Sequence, residues 1–66
     1  MKNCNENIKR TIEVADEMLE IARQGDIERE DVGCGILYGI LRDSAYRIKK
    51  TAIAEKAAHI RKGGWK

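Results

Sequence analysis

The segment IKRTIEVADEMLEIA, residues 8–22, decides the fold. Its apolar residues Ile8, Ile12, Ala15, Leu19 and Ala22 follow one another at spacings of four, three, four and three. That 3.5-residue interval puts one stripe of a helix against a neighbouring helix, whereas a half-buried strand would alternate every second residue. Val14, Met18 and Ile21 widen the stripe on one flank, and Lys9, Glu13, Asp16, Glu17 and Glu20 take the other face. Upstream, Asn3 with Glu6 three residues later has the form of a capping box. Downstream, Gly25 suits the left-handed position just past a helix end. The first helix is expected over about residues 4–24, on these stop and start signals.

Beyond Gly25 the acids Asp26, Glu28, Glu30 and Asp31 surround Arg29. They predict a turn over about residues 25–30 and suit the positive end of a following helix, with either Asp26 or Asp31 as its N-cap. A second helix is expected over about residues 31–62, stopped by Gly63 and Gly64, with a tail at about residues 63–66. Its core stripe reads Leu37, Leu41, Ala45, Ile48 and Ala52, extended backwards by Cys34. Ile36 and Ile40 point the other way, with Gly35 and Gly39 between them, so residues 32–41 are apolar around the whole circumference. One antiparallel neighbour covers only one side of such a helix. Each helical glycine also costs about 1 kcal/mol relative to alanine, which close approach of another helix would offset. Gly35, Ile36, Gly39 and Ile40 are therefore the expected self-association surface. A turn at residues 25–30 sets Leu19 against Ile36 and Leu37, Ala15 against Ile40 and Leu41, and Ile8 against Ile48. The second helix would then overhang by roughly ten residues, about 15 Å, carrying Glu55 and His59 into solvent.

A chain of 66 residues is one domain or part of one, expected here as a single helical-hairpin domain over residues 1–66, and at this size one core rarely supplies more than about 3–5 kcal/mol. A disulfide, a metal or oligomerisation is the usual supplement. Cys4 and Cys34 could form one bridge at most; with no apolar signal segment after Met1, the expected compartment is the cytoplasm, where thiols stay reduced. The cysteines lie thirty residues apart with a lone histidine distant from both, which is not a zinc pattern. The acidic turn fails as a calcium loop, having Asp31 where glycine and Leu37 where glutamate belong. Neither a metal nor a cofactor is expected, and no nucleophile, base and orienting acid can be assembled into a catalytic set, so the expectation is not an enzyme. The longest uncharged stretch, residues 32–41, is about half the length that crosses a bilayer.

Charge is lopsided. Residues 1–33 hold five basic and nine acidic side chains, residues 34–66 eight and two. Two helices of opposite sign lying together account for this. A basic surface for a polyanion is the sharper reading, built from Arg47, Lys49, Lys50, Lys56, Arg61 and Lys62, with Trp65 able to stack on a base.

The expected fold is all-α: an antiparallel helical hairpin with a long second helix, associating as a dimeric four-helix bundle or similar. The layout resembles the small RNA-binding helical-hairpin dimers of the Rop type, a likeness of architecture carried by no motif. The expected function is a homo-oligomeric protein-interaction or structural module, its partner a second copy or another protein. The alternative is a small nucleic-acid-binding regulator using the basic half of the second helix.

Overall fold

No proline interrupts the chain, and its residues favour helix almost throughout. The computed structural model describes residues 2–28 and 30–65 and contains two helices, α1 over Lys2–Glu28 and α2 over Val32–Arg61. They pack side by side in opposite directions, forming a rod of 48 × 14 × 13 Å. The all-α hairpin is as expected; its register is not.

α1 does not stop at Gly25. It runs through it to Glu28, and the described residues Glu30 and Asp31 lie outside either helix just before α2. Gly25 serves packing instead: a Cβ there would fall against the ring of Tyr38. Asp31 caps α2 from an extended backbone (φ −151°, ψ 176°), its carboxylate accepting from Cys34 N–H at 2.8 Å. That bond lowers the Asp31 pKa below the usual aspartate value. At the upstream end α1 begins at Lys2, so Asn3 lies inside the first turn rather than before it; its side chain is outside the described residues.

Moving the turn shifts the helices by more than two turns relative to the register expected from a stop at Gly25. Asp16 meets Lys49 at 2.6 Å, Asp26 pairs with Arg42, and Asn5 reaches His59. Leu19 does not face Leu37, which is 58% exposed; Tyr38 takes the inward place. The predicted ten-residue overhang does not exist, because the two helices, 27 and 30 residues, are nearly matched.

The seam between them is thin. Ala15, Ala22 and Ala45 are fully buried, Ala52 and Ile8 nearly so, and no large side chain among the described residues is fully enclosed. The alanines recur at seven-residue intervals on both helices, one small residue every second turn, which lets the axes approach closely. Ile12, Leu19 and Leu41 flank this line half-buried. α2 ends where Gly63 turns left-handed (φ 75°), with Gly63 N–H donating to Ile60 O at 3.0 Å and Gly64 N–H to His59 O at 2.9 Å. These are the two bonds of a Schellman closure, and they turn the chain back toward α1.

Two outcomes test this account. Gly25→Ala improves helix propensity by up to about 1 kcal/mol but overpacks Tyr38, which typically costs about 1–3 kcal/mol. A lower melting temperature is expected; a rise would place Tyr38 elsewhere. Because the folded pKa of Asp31 is depressed, its contribution is full above the ordinary aspartate range and is lost as pH falls through the folded value. Asp31→Asn keeps an N-cap acceptor, so acid titration of melting temperature should lose that component.

Candidate functional site

At the end of the rod away from the turn, α1 and α2 bring together Cys4, Asn5, Glu55 and His59. The inward line Tyr38, Ala45, Ala52 continues seven residues further to His59, which is why the imidazole is buried at 5% exposure rather than carried into solvent. Asn5, on the facing turn of α1, is 2% exposed. Its orientation is fixed by the returning tail: Asn5 Nδ2 donates to Gly64 O at 2.5 Å, leaving Oδ1 to accept from His59 Nδ1–H at 2.6 Å. His59 Nε2 then faces Cys4 Sγ at 4.0 Å and Glu55 Oε1 at 3.4 Å. The neutral ring can accept from the thiol; the protonated ring donates to Glu55. Every buried side-chain polar atom here has a partner among the described residues. Chemically, the cluster is a saturated clamp joining three segments, with an exposed thiol at its rim.

This cluster was missed by sequence reasoning for one reason. Extending the stripe of α2 by its own interval reaches Glu55 and His59, but a helix pair closed at Gly25 has no partner left for them. Cys34, predicted to be on the core stripe, is half-buried.

The basic residues expected to form one surface are divided. Lys49 is held by Asp16. Trp65 does not hang free as a stacking group: the ammonium groups of Lys9 and Lys56 lie over its ring, 5.6 and 5.2 Å from the centroid. Arg47, Lys50, Arg61 and Lys62 stay exposed. The predicted self-association residues fare differently. Ile36 and Ile40 are about three-fifths exposed, and nothing lies within 4 Å of a Cβ built on Gly39. α1 leaves that side of α2 uncovered. Further exposed apolar groups continue down α2 at Tyr46, Ile53 and Ile60. On the opposite side of the hairpin a shallow groove joins Ile8 and Ile48 with the methyl groups of Thr11 and Thr51, and runs on to Val14.

No group of three or more His, Cys, Asp or Glu side chains suited to a metal ion is found among the described residues, and no described helix is long and apolar enough to cross a membrane. Compared with known proteins, the chain matches no family model, no curated protein and no solved structure.

The clamp predicts a specific loss. Asn5→Ala strands a buried imidazole N–H, and an unsatisfied buried donor costs about 1–3 kcal/mol. Chemical denaturation should register that drop with helicity intact in water, while Asn7→Ala, on the exposed face of α1, changes stability by less than about 0.5 kcal/mol.

Proposed function

We propose that the chain is a self-assembling helical module whose working form is a homo-oligomer, a dimeric four-helix arrangement presenting its remaining surface to other proteins. One observation carries this reading. The hairpin buries alanines and turns its large apolar side chains outward: Val14, Ile21, Val32, Ile36, Ile40 and Ile53 are all about half exposed or more. Burying a valine or isoleucine is worth about 1.5–3 kcal/mol, so the hydrophobic stabilisation available to this sequence is mostly unspent in a lone hairpin. A second copy is the partner always present at equal concentration. Two free thiols fit a reducing compartment such as the cytoplasm, and the saturated polar cluster gives no support to an enzymatic reading.

Polyanion binding ranks second. Exposed Arg47, Lys50, Arg61 and Lys62 favour it, but Lys49 is held in an ion pair and Lys56 packs on Trp65.

Sedimentation equilibrium across micromolar concentrations is expected to return at least twice the 7.5 kDa chain mass. A folded, cooperatively melting monomer would overturn the proposal. A gel shift with mixed RNA and DNA that fades with salt would instead favour the basic surface.

A further inference from the structure

We infer that a second copy docks along the outer side of α2, antiparallel, about a two-fold axis at Tyr46. The inference rests on the self-assembly reading and adds its surface and orientation. α2 carries two complete helical seams. The inner one meets α1. The outer one begins at Val32, Ile36 and Gly39, passes Asp43, Tyr46 and Lys50, and ends at Ile53, Ala57 and Ile60. Its spacings alternate four and three without a break, the interval of a helix–helix contact. Val32, Ile36, Tyr46, Ile53 and Ile60 on this line are 47–78% exposed.

The order of residues along this seam is complementary to its own reverse. Turned about Tyr46, Gly39 faces the partner's Ile53, Ile36 faces the partner's Ala57, and Val32 faces the partner's Ile60. At Gly39–Ile53 and Ile36–Ala57 a large side chain meets a small one, Val32 and Ile60 close the seam apolar on apolar, and the open space at Gly39 receives an isoleucine. Asp43 faces the partner's Lys50, and neither residue has an ion-pair partner among the described residues. Toward the ends, Glu30 and Asp31 lie near the partner's Arg61 and Lys62. A parallel pairing would put Asp43 on Asp43 and Lys50 on Lys50, so charge selects the antiparallel orientation. It also opposes the two helix dipoles. The seam is about 42 Å long at helical rise, nearly the whole rod.

The test uses charge reversal with the full chain. Asp43→Lys and Lys50→Asp each place like charges at both symmetry-related contacts and should weaken self-association roughly tenfold or more. Mixing the two variants restores complementarity at both contacts, so a mixed dimer should form with near wild-type affinity, read by native mass spectrometry. Gly39→Leu, which fills the hole, should also weaken the dimer while circular dichroism shows an intact helix. If wild type associates but both reversals and Gly39→Leu leave it unchanged, the seam is wrong and self-assembly stands through another surface. An Ile48→Lys variant that then dissociates would assign it to the Ile8–Ile48 groove. If wild type is a folded monomer, both inferences fall. If the single variants dissociate and mixing does not rescue them, the antiparallel register is overturned.

Discussion

Everything in this molecule follows from how close its two helices come. Along its middle, a seam of alanines at seven-residue intervals keeps larger side chains out from between the axes, and Ile8, Tyr38 and His59 take the same lines only toward the ends. The helices meet through backbone and methyl groups, and branched residues are pushed to the flanks. Such a seam fixes register sharply, since sliding either helix by one residue would put a bulky or charged side chain where only a methyl fits. Gly25 under Tyr38 belongs to the same constraint. Ion pairs such as Asp16–Lys49 sit beside the line and refine it, but a half-exposed pair adds little energy of its own.

Helix identity and the phase of α1 were legible in the sequence because they depend on local spacing, whereas on α2 the same spacing puts Leu37 and Ile48 inward and the structure leaves them 58% and 36% exposed. Ile8, Ala15 and Ala22 on α1, and Ala45 and Ala52 on α2, are inward as their spacing requires. The turn was not legible. Gly25 has the same one-letter signature whether it ends a helix with a left-handed residue or admits a ring from another helix, and only the tertiary partner separates the two. That ambiguity propagated. With the turn placed too early, His59 is assigned to solvent rather than to Asn5. Gly63, by contrast, ends α2 as its position implies, because no side chain competes for its space.

The surface residues tell the same story from outside. Ile36, Gly39 and Ile40 were marked by the all-round apolar character of residues 32–41, and the structure leaves them uncovered. Within the basic half of α2, composition cannot see that α1 supplies a carboxylate to Lys49 or that Trp65 folds back against Lys56. A sequence shows which side chains are cationic; it does not show which of them are already spoken for.

The join between Asn5 and Gly64 has a mechanical consequence. The start of α1 and the end of α2 lie at one pole of the rod, with the turn at the other. A load applied across these two helix ends therefore peels the helices apart one layer at a time, starting at the imidazole, instead of shearing the whole alanine line at once. Resistance is concentrated in the first layer to open, and the polar clamp of Asn5, His59 and Gly64 sits there.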